Sequence, residues 1–409
     1  MKKRLLSVLL LVCMVLTLLP TAAFAEDVQA EHTHCFCGGS VNAGDHTSHS
    51  NVTYTAWTGR SSIFAKSDTA YVYLTKNITL DYHFYIQEGK TLYLCLNGHT
   101  LNLDEYNILV YNRGGTLYLC DCSADKTGTI SGGSNRCISV DDAAESTSTF
   151  NMYGGTLRNG KSSNGAGVEV ANGTMNMYGG TITENTATRD GGGIYVGTKG
   201  TLNLYGGTIT NNTVTTNEGN HGGGVYVESN FQTGAGKISI SGSPVITGNT
   251  RVYTDATTGE KTTSTENLYL AYGFYNSGQF PTITLGTLTS GADIGIWAGE
   301  SVFSTASDTD YSGYFSSDVA GYHVEYNEDK KLELKPGAAH VHSGGTAYCN
   351  KKALCTECGN AYGEYDPNNH SGTLGEWQSN DDNHWKEYSC CHAHAEEGTH
   401  TGGTATCTA

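Results

Sequence analysis

Residues 150–227 write one phrase three times: FNMYGGTLRNG…GAGVEV, then MNMYGGTITENT…GGGIYV, then LNLYGGTITNNT…GGGVYV. Tyr153, Tyr178 and Tyr205 each precede a Gly-Gly pair and stand 25 and 27 residues apart. A fixed period of that length marks a solenoid, one period to a coil. Within a period the apolar residues alternate with a spacing of two, as in Met175-Asn176-Met177-Tyr178 and Ile194-Tyr195-Val196, which is the rhythm of strands. Each coil holds short strands separated by Gly-rich corners, too little to close a core alone, so neighbouring coils must stack.

The expected fold is therefore all-β: a right-handed parallel β-helix of about 25 residues per coil. Residues of equal phase then stack about 4.8 Å apart along the axis. Met152, Met177 and Leu204 should stack inside, as should Leu157, Ile182 and Ile209. Asn185, Asn212 and Asn249 share a corner phase in which Gly160 stands one coil earlier, and stacked amides there can bond one another. Outside, Asn151, Asn176 and Asn203 should form one column and Tyr153, Tyr178 and Tyr205 another.

The chain opens with Lys2, Lys3 and Arg4, an apolar run from Leu5 to Leu19, and Ala23-Phe24-Ala25, the three parts of a secretory leader. Losing those basic residues takes the formal charge from −17 to −20, which argues against nucleic acid or anionic lipid as a partner. No later run approaches the length of a membrane span. The expected organisation is a leader at 1–25, a Cys/His-rich segment at 26–60, the β-helix at 61–250, irregular terminal coils or a cap at 251–335, and a Cys/His repeat module at 336–409.

Cysteine and histidine gather at both ends. His32-Thr-His34-Cys35-Phe-Cys37 is followed by His46 and His49, and His34, Cys35, Cys37 and His46 are candidate ligands for a tetrahedral ion, although C-x-C is tighter than the usual C-x₂₋₄-C. Near the other end Cys349, Cys355 and Cys358, closing in a C-x-x-C-G knuckle, form a second candidate set with His370, and Cys390, Cys391, His392 and His394 supply a less regular third. Structural zinc, disulfides and free thiols all remain open for these residues. The phrase from His342 restarts at His400 and stops at Ala409, so an anchor or further repeats are expected beyond. In the body, TLYLC at 91–95 recurs at 116–120, which aligns Cys95 with Cys120 as one possible disulfide and leaves Cys122 and Cys137 as a second pair.

The combination LCLNGHTL, LCDCS, the NMYGGTIT/GGGIYV coils, NLYL with GADIGI, and YFSSDVAGYHVEYNEDKKLEL resembles the β-helix surface proteins of Gram-positive gut bacteria, related in fold to pectate lyases. It covers most of residues 32–335, and the C-terminal phrase is similar to Cys/His repeats appended to such proteins. The resemblance implies the fold; that fold hosts lyases, hydrolases, adhesins and stalks alike.

A lyase needs a base beside carboxylates that hold calcium, and a hydrolase needs two or three Asp on adjacent coils. Arg158, Lys161, Glu169, Glu184, Arg189, Asp190 and Glu218 assemble neither, so calcium is not supported and no catalytic residue is assigned. His221, inside Gly219-Asn-His-Gly-Gly-Gly, reads as a surface-loop histidine. The Tyr column, flanked by Asn and Thr, suits sugar rings but equally suits a ladder with no ligand. The expectation is an exported, non-catalytic solenoid presenting Tyr153, Tyr178, Tyr205, Asn151, Asn176 and Asn203 to host or microbial glycans or proteins. Its rivals are a polysaccharide lyase or glycosidase working near Arg158, Arg189 and Asp190, and a bare stalk.

Overall fold

The computed structural model describes residues 32–37, 51–111, 114–141, 148–230, 232–272, 280–337, 343–356, 361–380 and 382–399. The leader at 1–25, His46, Cys358 and His400 lie outside these residues. The described chain is a parallel β-helix with three faces. The first face stacks Thr69–Leu74, Thr91–Cys95, Thr116–Cys120 and Thr149–Met152, then residues 174–177 and 201–204, then Lys237–Gly242 and Ile283–Leu288. The second runs from Ile78–Thr79 through Thr156–Arg158, Thr181–Thr183 and Thr208–Thr210 to Val245–Thr247. The third runs from Phe84–Ile86 through residues 168–170 and 194–196 to Val225–Val227 and Leu268–Leu270.

Register explains why the sequence repeats as it does. Met152 pairs with Met177, Met177 with Leu204 and Leu204 with Ile240, while Leu157, Ile182, Ile209 and Ile246 form the parallel row on the second face. These side chains are buried in one continuous core. Each contributes about 1.5–3 kcal/mol by leaving water, and no coil could bury them without its neighbours.

The corner after the second face carries the polar spine. Asn185 donates its side-chain amide to Asn212 Oδ1 (2.9 Å), Asn212 to Asn249 (3.0 Å), Asn249 to Asn267 (3.1 Å), and Asn267 to the Asp318 carboxylate (2.8 Å). Gly160, one coil earlier, donates its backbone N–H to Asn185 Oδ1 (2.9 Å), so the glycine position feeds the same spine. A Cβ at Gly193 or Gly224 would stand 3.0 or 2.7 Å from the Asn212 or Asn249 amide nitrogen, which is why Gly triplets face this corner.

Pieces outside the stack are antiparallel. His32–Cys35 pairs with Asn51–Trp57, whose end, Thr55 to Trp57, enters the first face. The Thr-rich insertion forms the hairpin Thr250–Thr254/Lys261–Thr265, and Tyr322–Tyr326 pairs with Leu332–Pro336 after the last parallel strand, Phe315–Ser317. Cys95 does align with Cys120, but both are free thiols, and the Cys95 sulfur also lies 3.2 Å from that of Cys122. Cys137 points into the core and its thiol faces the Arg158 carbonyl at 3.5 Å, so the alternative Cys122–Cys137 pair is excluded by opposite sides of the wall. Among the described residues no helix is long and apolar enough to cross a membrane.

Candidate functional site

On the outside of the first face two columns run along the axis. In one, Tyr71, Tyr93 and Tyr118 are followed in register by Asn151, Asn176 and Asn203. In the next, Tyr73, Cys95 and Cys120 are followed by Tyr153, Tyr178 and Tyr205. The asparagines bond head to tail: Asn176 donates to Asn151 Oδ1 and Asn203 to Asn176 Oδ1, each at 2.8 Å, and the Ser239 hydroxyl closes the row on Asn203 at 2.6 Å. The tyrosines stack, Tyr153 on Tyr178 at 4.5 Å and Tyr178 on Tyr205 at 4.7 Å, with ring planes within 10°. Stacked rings cover one another's faces and leave edges and hydroxyls to solvent. Tyr153 is buried, Tyr178 is half-buried and Tyr205, last in the stack, is exposed.

An open groove of about 520 Å³ runs beside this column, lined by Tyr153 and Tyr178 and by Thr156, Thr181 and Thr208 of the adjoining face. Its floor is the Gly-Gly corner of each coil, where a side chain at Gly179 or Gly206 would meet the carbonyl of the preceding coil's tyrosine at 2.7 Å. The repeated phase of the phrase thus lines one groove with aromatic rings, glycines and threonine hydroxyls from successive coils.

The N-terminal strand lies over the start of the columns. His32 stacks on Tyr73 (3.9 Å), His34 on Tyr54 (4.3 Å), and Phe36 packs edge-on against Tyr93, Tyr118 and Tyr153 at 5.4–5.8 Å. Cys35 and Cys37 form a disulfide with each other, which sets them apart from any thiolate site. His34 instead meets His32, Cys95 and Cys122, four residues whose ligand atoms all lie within 4.8 Å of one another and could hold a metal ion. Burial, and then the neighbouring His34, hold His32 down to about 4, so its ring is neutral at pH 7.

The C-terminal ligands also regroup. Cys349 and His370, from the first expected set, meet Cys390 and Cys391, from the other, again within 4.8 Å. Cys349 Sγ stands 3.3 Å from Cys390 Sγ, and Cys391 Sγ stands 3.3 Å from His370 Nδ1, whose ring stacks on Tyr388 at 3.6 Å. Burial opposes ionisation of Cys390, but donors from Cys349, the Gly372 N–H and His370 pull its thiol down to about 6. Cys355 is buried outside this group, while His392 and His394 lean on Glu387. The sequence signal for the regrouping was the Cys390-Cys391 pair itself, which sits in a tight turn where Cys391 and His392 both reach back to the Tyr388 carbonyl.

A third cluster was not legible from spacing. His221 stacks on Tyr269 (4.1 Å), Tyr269 stacks on Trp297 (4.2 Å), and His221 Nδ1 lies 3.0 Å from the buried Glu266 carboxylate. Asp190 accepts the His221 backbone N–H at 3.0 Å, and burial pushes its carboxyl up. Arg158 and Arg189 are both exposed, the first on the strand Thr156–Arg158 and the second beyond Thr186–Ala187, so they stand on separate parts of the coil. Comparison with protein-family models, with curated proteins and with solved structures returns no match to this chain.

Proposed function

We propose that the chain is an exported, non-catalytic β-helix that binds glycans along the groove beside the tyrosine column, with zinc in the C-terminal Cys/His group. The groove carries the reading: it is open, spans several coils, and is lined by both tyrosines and threonines, a mix of apolar surface and polar groups that suits a sugar chain. Tyr205 adds a ring at the end of the stack and in reach of solvent. Three sulfurs and one imidazole nitrogen favour zinc among common ions at the C-terminal group. The basic–apolar–Ala-x-Ala leader and the resemblance to Gram-positive surface β-helix proteins support export.

Binding of the mature chain to immobilised polysaccharides tests this. Wild type should be retained by at least one glycan class, and Tyr205→Ala or Thr181→Val with Thr208→Val should weaken retention about tenfold, a loss of about 1.4 kcal/mol. Retention unchanged in both variants, or release of new reducing or unsaturated sugar ends, overturns it. The second result would favour a polysaccharide-cleaving enzyme, for which the buried carboxyls of Asp190 and Glu266 around His221 are the groups to replace first.

A further inference from the structure

We propose that His32, His34, Cys95 and Cys122 bind one zinc ion, and that this ion latches the N-terminal strand across the aromatic face and so sets where the open part of the tyrosine column begins. The ligands come from two distant parts of the chain: both histidines from the strand His32–Cys35, Cys95 from the end of Thr91–Cys95 and Cys122 from just beyond Thr116–Cys120. One atom pair already stands near the separation a tetrahedral zinc requires, Cys122 Sγ to His32 Nε2 at 3.4 Å, while the Cys95 and Cys122 sulfurs, 3.2 Å apart, would have to part by about half an ångström. With bonds of about 2.0–2.3 Å, neighbouring ligands lie roughly 3.3–3.8 Å apart, so the group needs a contraction on the order of 1 Å to close on an ion.

An independent observation points to the same ion. His34 Nδ1 donates to the Cys35 carbonyl, which fixes the ring and leaves Nε2 with a lone pair. That Nε2 is sealed from solvent and, among the described residues, makes no hydrogen bond of normal geometry. Its nearest polar neighbour is the Cys122 thiol, one of the proposed ligands, and a metal shared between the two would satisfy a buried nitrogen that has no well-formed hydrogen bond. Two thiolates with two imidazoles form a common structural zinc set, and the pair of sulfurs disfavours calcium or magnesium.

The latch follows from what the strand carries. Without the ion it is held by its four-residue antiparallel pairing to Asn51–Trp57 and by ring contacts. With it, the strand is cross-linked to the solenoid over a separation of 90 residues between His32 and Cys122, and Phe36 is kept on Tyr93, Tyr118 and Tyr153. The column is then covered up to Tyr153 and open from Tyr178 onward.

The test uses the whole mature chain. Elemental analysis should find two zinc ions per wild-type chain, one fewer in Cys95→Ser/Cys122→Ser, and one fewer in Cys390→Ser/Cys391→Ser. Cobalt(II) in the latter variant should give tetrahedral bands with the charge-transfer intensity of two thiolates. Hydrogen exchange of residues 32–36 should quicken tenfold or more in Cys95→Ser/Cys122→Ser, or in wild type after chelation, while residues 194–204 keep their protection. Should the cysteine variant fail to fold, His32→Ala/His34→Ala alters only the outer strand and must lose the same ion. Unchanged zinc in that variant, a Cys95–Cys122 disulfide in the native protein, or zinc loss with no change in exchange at residues 32–36 each overturns the proposal. Glycan retention plays no part in these readouts, so the latch and the groove stand or fall separately.

Discussion

At the scale of single residues, backbone conformation and ligand identity were legible to different degrees. The corner position before the polar spine is left-handed in four successive coils, with φ of 60° at Asn159, 57° at Glu184, 55° at Asn211 and 68° at Gly248. Asn and Gly tolerate that region; Glu does not, and Glu184 is exposed there with no burial to compensate. Glu184→Gly is therefore expected to raise stability by about 0.5–1 kcal/mol, read as a higher denaturation midpoint with an unchanged slope. The candidate metal ligands were less legible. Local spacing groups His34 with Cys35 and Cys37, and Cys349 with Cys355, whereas the folded chain groups His34 with Cys95 and Cys122, and Cys349 with Cys390 and Cys391. Spacing reports neighbours along the chain, and these neighbours are created by stacking coils and by a turn. Consistent with the regrouping, Cys355→Ser should leave the zinc content of the C-terminal group unchanged and Cys391→Ser should abolish it, as measured by elemental analysis.

At the scale of elements, the columns were readable because a parallel stack turns each sequence phase into a physical row. Met152, Met177 and Leu204 fall in register, as do Asn151, Asn176 and Asn203. Ile182 sits at the middle of its row with no exposure, so Ile182→Ala should cost about 2–5 kcal/mol in a denaturant melt. The end of the polar spine was not readable, since Asn267 and Asp318 belong to coils with different spelling. Burial raises the Asp318 carboxyl to about 6, against the donors from Asn267 that lower it and with Glu266 adding to the rise. Because the folded state then holds a proton more tightly than the unfolded chain, this group's contribution to stability is fully present below about pH 4 and is lost as pH rises through about 6. Every tenfold difference in proton affinity between the two states is worth about 1.4 kcal/mol. Asp318→Asn keeps an amide oxygen that can accept both Asn267 donors, as Asn212 Oδ1 accepts both the backbone and side-chain N–H of Asn185. The variant should fold and should be free of this decline in stability between pH 4 and 6, measured as the denaturation midpoint across that range.

At the scale of the molecule, the repeat exposed the fold because every coil solves the same packing problem, while the N-terminal strand solves a problem that occurs once and leaves no period to read. The same logic makes a sharp expectation about length. Removing residues 179–205 joins Tyr178 to Gly206, deletes one strand from each face, and brings residues 174–177 into phase with 237–240. Stability in a solenoid is close to a sum over coils and their interfaces, so this chain should fold cooperatively with a lower midpoint and an unchanged strand signature in circular dichroism. Removing residues 179–204 instead leaves one extra residue. From that point either the local strand must bulge or every inward side chain on the first face must turn outward, because side chains alternate with a period of two. The longer deletion is therefore the milder one: it should melt as a folded protein, and the shorter should aggregate or melt without cooperativity. Equal behaviour of the two would mean that the stack is held by something other than the phase of its side chains.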